Sequence, residues 1–210
     1  MKGNYDNVAP FYDLISRLVY GSAILQAQIF LINAIPAHSS VLIIGGGTGH
    51  ILEEISKKHN SGLQITYVEV SQKMIAFSKM KNAGSNNIIF ISQSILDTTF
   101  HQLFDVVVTP FLFDNFSYNT SKIIFDKVDA LLVPAGLWLF ADFQLSEKNN
   151  AWQKLLLNFM YFFFRALCKI EAAHLQDMRM FFEKYNYRNI STQTFFKKFI
   201  YAVIYLKPDN

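Results

Sequence analysis

From Pro36 onward the chain alternates between two hydrophobic periods, short unbroken apolar runs and longer stretches with apolar residues three and four apart. Read in order, these predict strand 41–45, helix 49–59, strand 64–69, helix 71–82, strands 88–91 and 104–109, helix 119–132 and strand 136–142. Strands that alternate with helices need parallel crossovers, so the pattern predicts a doubly wound, mostly parallel sheet between two helical layers. Before it, residues 8–34 carry Phe11, Leu14, Ile15, Leu18, Val19, Ile24, Leu25, Ile29 and Ile32 at helical spacing, with Gly21-Ser22 as a break. This segment reads as an N-terminal helical cap. The last third changes character: an aromatic-rich helix over 150–170, a shorter helix over Leu175–Tyr185, and strands Arg188–Phe195 and Lys198–Leu206 joined by a tight turn at Phe196-Lys197. That turn makes one of the final strands antiparallel to the rest. The expected architecture is a single α/β domain over residues 1–210, three-layered and Rossmann-like. It divides into a cap (1–36), a cofactor-binding half (37–145) and substrate-side helices with a C-terminal hairpin (146–210).

The run Val41-Leu42-Ile43-Ile44-Gly45-Gly46-Gly47-Thr48-Gly49 locates a ligand site. A buried parallel strand empties into glycines, which permit a sharp turn with backbone pressed close to a ligand, and the helix beginning near His50 turns unpaired N–H groups toward it. Glycines at 45, 47 and 49 depart from the dinucleotide spacing, which wants a glycine at the position of His50. Taken alone, such a turn is equally a tight strand-to-helix connection. The next strand, Ile65-Thr66-Tyr67-Val68-Glu69, ends in a carboxylate about 20 residues on, where an acid reaches ribose hydroxyls.

Composition narrows the picture. With 51% hydrophobic residues, 21 Phe and 10 Tyr, the chain has a large aromatic interior or an apolar pocket. Its net charge of +3 is scattered rather than gathered into a stripe, which argues against nucleic acid as a partner. The lone Cys168 can form neither an internal disulfide nor a metal cluster, so no metal is expected, and the compartment reads as reducing. Met1 to Asp6 lack the apolar core and cleavage site of a secretory signal, so a cytoplasmic location is expected. The apolar stretch Leu155 to Ile170 is interrupted by Asn158, Arg165 and Lys169 and reads as a buried or interfacial helix.

Several motifs in order give the chain a resemblance to the class I S-adenosylmethionine-dependent methyltransferases. Gly45, Gly46, Gly47 and Gly49 match the turn that meets the methionine end of the cofactor, and Glu69 matches the acid that binds the ribose. In Glu69-Val70-Ser71-Gln72-Lys73-Met74, the resemblance puts Val70 or Met74 against the adenine. Phe90-Ile91-Ser92-Gln93-Ser94-Ile95 aligns with the turn after strand three, so Ser94 and Ile95 fall on the adenine side. Phe104 to Pro110 matches strand four, bringing Thr109 to the site, and Ala9-Pro10-Phe11-Tyr12-Asp13 resembles a cap whose tyrosine approaches the cofactor. The family's seven-stranded sheet with an antiparallel last strand also suits the C-terminal hairpin. Two positions depart from the family: Ile43 stands where an acid is common, and Ser94 where an aspartate is common. Each lost charge-assisted hydrogen bond weakens binding by about tenfold or more, so weak cofactor binding is expected.

The resemblance implies S-adenosyl-L-methionine as cofactor and methyl transfer to a small metabolite. Asp114, after strand four, and Asp142, at the end of strand five, are the candidate catalytic bases, each readable also as a capping or loop residue. His174 is a third candidate base, more readily a surface or satisfied core histidine, and His50 reads as part of a first helical turn. The segment Trp152, Phe159, Tyr161, Phe162, Phe163, Phe164 reads first as core or dimer packing. If it lines a pocket, the acceptor is apolar, of quinone-precursor, lipid or aromatic type. Other readings stay open: a non-catalytic or membrane-surface protein binding the same cofactor, and, against the glycine spacing and the antiparallel ending, a nicotinamide-dependent oxidoreductase. Peripheral membrane contact and a homodimer are likewise left open.

Overall fold

The computed structural model describes residue 6 and residues 9–145, 151–168 and 174–209, without the side chains of Phe11, Tyr12 and residues 162–168. Two helices, α1 (Ala9–Tyr20) and α2 (Ala23–Ile32), precede the sheet and meet at 99°. The break falls at Gly21, whose φ of 59° is the left-handed conformation glycine adopts without steric cost. There follow β1 (Ser40–Ile44), α3 (His50–Lys58), β2 (Ser61–Val68), α4 (Gln72–Lys79), β3 (Ser85–Ile91), β4 (Phe104–Pro110), α5 (Tyr118–Leu131) and β5 (Leu132–Phe143). The chain closes with α6 (Ala151–Cys168), α7 (Arg179–Lys184), β6 (Arg188–Phe195) and β7 (Ile200–Leu206).

The strands form one seven-stranded sheet in the order β3-β2-β1-β4-β5-β7-β6. The first five are parallel, and β7 runs antiparallel between β5 and β6. The expected α/β architecture is therefore present, including its antiparallel ending. The order reverses direction between β1 and β4, and the crossovers on either side of that point leave a crevice at the carboxyl ends of the strands.

Alternation along each strand builds two cores. Val41, Ile43, Leu139, Ala141, Ile200 and Ala202 face α2, α3 and α6 on one side. Leu42, Ile44, Trp138, Phe140, Tyr201 and Val203 face α5 and α7 on the other. The second core is aromatic: Phe125 stacks on Trp138 with ring centres 4.7 Å apart, and Phe182 lies parallel to Tyr205 at 3.8 Å.

The observed elements differ from the predicted ones at identifiable places. Strand β2 begins at Ser61 because Gly62, at φ 94°, allows an irregular pairing with β3 ahead of the predicted start. Strand β5 begins at Leu132, which pairs with Phe104 before the register shifts to Leu137 opposite Val106; Ala135 at φ 55° takes up the extra length. The helix predicted over Leu175–Tyr185 starts only at Arg179. The Asp177 carboxylate accepts the Arg179 N–H at 3.1 Å and binds its guanidinium at 2.8 Å, a local pairing that competes with helix in the preceding residues.

At the start of α5, the Ser117 hydroxyl accepts the Thr120 N–H at 3.3 Å, a side-chain cap for a helix whose other face covers the aromatic core. Ser117→Ala is expected to cost about 1 kcal/mol in urea denaturation. An unchanged midpoint would show that water satisfies that N–H equally well.

Candidate active site

The cleft sits at the carboxyl edge of β1, β2, β4 and β5, where the sheet order reverses. Its first wall is made by the turns after β1 and β2. Gly45 and Gly47, at φ 72° and 63°, let the turn fold back on β1, and the Gly45 N–H is held by the Val68 carbonyl at 2.9 Å. Glu69 is only 6% exposed, and both of its carboxylate oxygens are engaged. Oε2 accepts the Gly47 N–H at 3.2 Å and Oε1 accepts the Ser71 N–H at 2.9 Å, so one side chain ties the two ligand-facing turns together. Burial raises its pKa, while N–H donation from Ser71, Gly47 and Val70 pulls the other way.

Tyr67 completes this arrangement. Its ring is fully buried against Phe90 and beneath Gly46, and its hydroxyl donates to the Gly47 carbonyl at 3.0 Å. A Cβ on Gly46 would lie 2.4 Å from that ring, which explains the glycine there. Both backbone groups of Gly47 are therefore held from β2 and the residue that follows it, by Tyr67 and Glu69. Ile43 is completely buried in the core shared with α2 and α3, so the turn is anchored without a carboxylate at that position. Tyr67 has little signature in the sequence, where it stands as a single tyrosine in an apolar strand two residues before the acid.

The cap closes over the same turn. Thr48 Oγ1 donates to Asp13 Oδ1 at 2.7 Å, and His50 Nε2 lies 3.1 Å from the other Asp13 oxygen. Asp6 accepts from Ser71 Oγ at 2.6 Å and from the Lys73 N–H at 3.2 Å, at the start of α4. These partly exposed contacts contribute little energy individually, yet they register the cap over the cleft. The side chain of Tyr12 lies outside the described residues. The cap residue seen to meet the glycine turn is its neighbour Asp13.

Several predicted residues share the cleft wall with Gly45, Gly47 and Glu69. Val70, Met74, Ser94 and Ile95 form an apolar side with one hydroxyl. Others stand elsewhere. Thr109 is wholly buried and accepts the Trp138 indole N–H at 2.9 Å, so it belongs to the aromatic core and not to the cleft. Gly46 and Gly49 do not line the cleft either; Gly46 packs on Tyr67, and Gly49 packs on Ser78 of α4. His174 is exposed and away from it. His50 opens α3 and pairs with Asp13 and Glu53.

The far wall is aromatic: Phe111, Phe116 and Phe143 from the sheet edge, Tyr20 from α1, and Phe159 and Tyr161 from α6. Phe111 holds φ 55°, a strained conformation for a bulky residue, fixed by its N–H to the Ala141 carbonyl at 2.7 Å. The aromatic helix thus contributes to the cleft as well as to packing; Phe162, Phe163 and Phe164 fall outside the described side chains. Among the described residues no lysine, arginine or histidine lines the cleft, and no cluster of three metal-ligating side chains occurs.

Asp114 lies in a single 3-10 turn, Phe113–Asn115, directly after β4, and lines the cleft. Asp142 does not reach it. At 3% exposure it sits behind the wall, on the side of β5 that carries Trp138 and Phe140, and accepts the Phe143 N–H at 2.8 Å. Burial pushes the Asp142 carboxyl up to about 7, with the N–H groups of Phe143, Asp114 and Phe113 pulling it down. Burial, followed by the neighbouring Asp142 charge, pushes Asp114 well above the carboxylate range.

S-adenosylmethionine suits this cleft on the evidence of its own residues. A Cβ on Gly47 would meet nothing nearer than Met74 Sδ at 4.0 Å, so the turn presents backbone to open space. Glu69 supplies a buried acid beside it, and Val70, Met74 and Ile95 supply an apolar surface for a base.

The comparisons agree. Residues 41–136 match the family model for the methyltransferase domain. Over 152 residues the chain is 29% identical to YqeM of Bacillus subtilis (strain 168), described as a methyltransferase, covering 68% of this chain and 58% of that protein. It is 26% identical over 145 residues to the ubiquinone/menaquinone biosynthesis C-methyltransferase UbiE of Wigglesworthia glossinidia brevipalpis, covering 66% and 57%. The chain thus spans less than two thirds of the length of either relative. The N-methyltransferase NodS of Bradyrhizobium japonicum WM9, solved with S-adenosyl-L-homocysteine, superposes with a TM-score of 0.67 at 14% identity, over 88% of this chain and 85% of that one. The match over residues 41–136, the glycine turn with its buried acid and the order of the seven strands together identify a methyltransferase domain within this chain, on the class I S-adenosylmethionine-dependent methyltransferase fold.

Proposed function

We propose that the protein transfers the methyl group of S-adenosylmethionine to a small, neutral, apolar acceptor of aromatic, quinone-precursor or lipid-like type. The observation that carries this reading is a single cleft with two unlike walls. One wall is the glycine turn, Glu69 and the Val70, Met74 and Ile95 surface; the other is aromatic and holds Asp114. In the bound state the cofactor supplies an electrophilic methyl on a sulfonium, so the protein's own task is to hold the acceptor in line and exclude water.

In this reading the backbone of the Gly45–Gly47 turn and the start of α3 face the methionine end, Glu69 the ribose, and Val70 and Met74 the base. The second wall selects the acceptor. With no cation among the described lining residues, it offers no counter-charge to a phosphate or carboxylate, and Phe111, Phe116, Phe143 and Tyr161 favour a ring or hydrocarbon. Leu14, Leu18 and Leu155 lie exposed on α1 and α6 beside the residues those helices give to the cleft, which supports an acceptor with a hydrocarbon extension.

Thermal shift separates this reading from its rivals. S-adenosylmethionine and its demethylated product are expected to raise Tm by several degrees at concentrations well above Kd, while NAD and NADP leave it unchanged. Stabilisation by a nicotinamide nucleotide and not by the sulfur nucleosides would overturn it. Release of the demethylated product with an apolar acceptor pool then distinguishes an enzyme from a binding protein.

A further inference from the structure

We infer that the outer faces of α1 and α6, together with the turn between β6 and β7, form a docking surface for an anionic lipid bilayer, seated around the mouth of the cleft. The inference deepens the proposed methyl transfer, and one part rests on it: an apolar acceptor then reaches the cleft from hydrocarbon and not from water. The docking itself stands on the surface alone.

The two cap helices are unequally buried. In α2, Ala23, Ala27, Leu31 and Ile32 pack into the core beside β7. Bent away from it at 99°, α1 buries only Ala9 and Tyr20 among its described side chains. Its Ile15, Ser16 and Val19 line the cleft, while Leu14 and Leu18, one turn apart, are 59% and 76% exposed. The same division runs along α6. Gln153, Leu157, Met160 and Tyr161 face inward, and Trp152, Leu155 and Phe159, three and four residues apart, form an outward stripe. Leu155 is 73% and Phe159 58% exposed. Phe159 also lines the cleft, so the stripe reaches its mouth.

Contacts at their inner ends hold these elements together. The Tyr20 hydroxyl meets Met160 Sδ, joining α1 to α6. Phe196, in the turn between β6 and β7, packs its ring on both Tyr20 and Trp152, with centres 5.5 and 5.7 Å apart. Gln153 Nε2 donates to the Lys197 carbonyl at 3.3 Å. The three elements therefore share one side of the protein.

Charge identifies the occupant. Arg17 precedes Leu18, Lys154 precedes Leu155, and Lys197 and Lys198 lie in the turn; all four are exposed. Lys197 Nζ lies 5.9 Å from the centre of the Trp152 ring. The acid among the described side chains of these elements is Asp13, and it is engaged by Thr48 and His50. A second copy of this face would bring like charges together. An anionic bilayer instead offers hydrocarbon to the leucines and headgroups to the cations. Tryptophan and lysine side by side suit the headgroup level, where an amphipathic ring and a cation on a hydrocarbon stem both keep their polar ends in water. Behind the mouth the wall is aromatic and, among the described residues, without a cation. The cations thus stand on the rim and the apolar surface lies within, the order suited to a neutral acceptor entering from a bilayer.

Co-sedimentation with vesicles tests the docking with neither cofactor nor acceptor present. Wild-type protein is expected to pellet with vesicles of equal parts phosphatidylcholine and phosphatidylglycerol, and to bind phosphatidylcholine alone about tenfold or more weakly. Leu18→Glu combined with Leu155→Glu should lower affinity for the anionic vesicles about a hundredfold. Lys154→Glu combined with Lys198→Glu should lower it about twentyfold, since each cation near an anionic surface strengthens binding about fivefold. All four side chains are exposed, so an unchanged Tm separates lost docking from lost folding. Ile123→Glu, at a 57% exposed position of α5 on the opposite face of the sheet, should bind like wild type. A second readout needs no substitution. Trp138 is completely buried, so a blue shift of tryptophan emission on vesicle binding, and its quenching by brominated lipid, report Trp152. Wild-type protein left in the supernatant, equal affinity for the two vesicle types, undiminished binding in the leucine pair, or binding without quenching of Trp152 each overturns the docking. A solution dimer that the leucine pair dissociates, with vesicles left unbound, would give the face to a second copy. Vesicle binding with no thermal shift by S-adenosylmethionine removes the methyl transfer and leaves the docking; a cofactor shift with no vesicle binding does the reverse.

Discussion

Gly49→Ala is expected to cost the folded state several kcal/mol. Gly49 adopts φ 85° at the N-terminus of α3, and a Cβ there would lie 2.6 Å from Cα and Cβ of Ser78. Ser78 is 1% exposed on α4, so neither helix has a flexible atom to move aside. The left-handed conformation costs an L-residue roughly 1–2 kcal/mol and the overlap about 1–3 kcal/mol more. A typical domain is stable by about 5–15 kcal/mol, so the variant should unfold at a much lower urea midpoint. Gly47→Ala is the informative control. It shares the positive φ, at 63°, but its Cβ meets only Met74 Sδ at 4.0 Å. It should lose no more than the conformational part of that stability and fail chiefly in cofactor binding, because the methyl enters ligand space. If Gly49→Ala proves as stable as wild type, α3 and α4 do not approach as closely as described.

Glu69→Ala is expected to weaken S-adenosylmethionine binding by about ten- to a hundredfold. The carboxylate accepts the Gly47 N–H at 3.2 Å and the Ser71 N–H at 2.9 Å, so its removal loosens both turns and takes away the acid beside the ribose position. Hydrogen bonds to a charged group contribute about 1.5–3 kcal/mol, which sets that range. Tyr67→Phe removes only the hydroxyl that donates to the Gly47 carbonyl, keeps the buried ring, and should weaken binding several-fold. Calorimetry on the folded variants reads both effects. Unchanged affinity in Glu69→Ala would take the acid out of the site, and a Tyr67→Phe loss as large as that of Glu69→Ala would make turn geometry, and not ribose contact, the source of affinity.

The anchoring by Tyr67 and Glu69 bears on the expectation of weak binding drawn from Ile43. An acid in β1 is one way to fix a glycine turn, and here Tyr67 of β2 holds the carbonyl of Gly47 and Glu69, just after β2, holds its N–H. Ile43 instead fills the core beneath. Ser94 lies on the cleft wall, and its hydroxyl already accepts the Leu96 N–H at 3.2 Å. Titration with the cofactor measures what the absent aspartate costs.

Much of the fold was legible because its signals are local. An apolar run followed by glycines, an acid ending the next strand, and alternating helical and strand periods each concern residues within a few positions of one another. These determined the parallel sheet, the glycine turn at Gly45 to Gly49, Glu69 at its side, and the hairpin that turns the last strand antiparallel. What they could not determine depends on strand register and helix packing, which bring together residues far apart in the chain. Pairing of β4 with β5 put Asp114 on the cleft and Asp142 behind it. Packing of the cap brought Asp13 to Thr48, and strand alternation put Thr109 on the face of β4 that carries Val107, against the Trp138 indole. In a strand, one residue's shift moves a side chain to the opposite face, so membership of a site is decided by register and not by residue type.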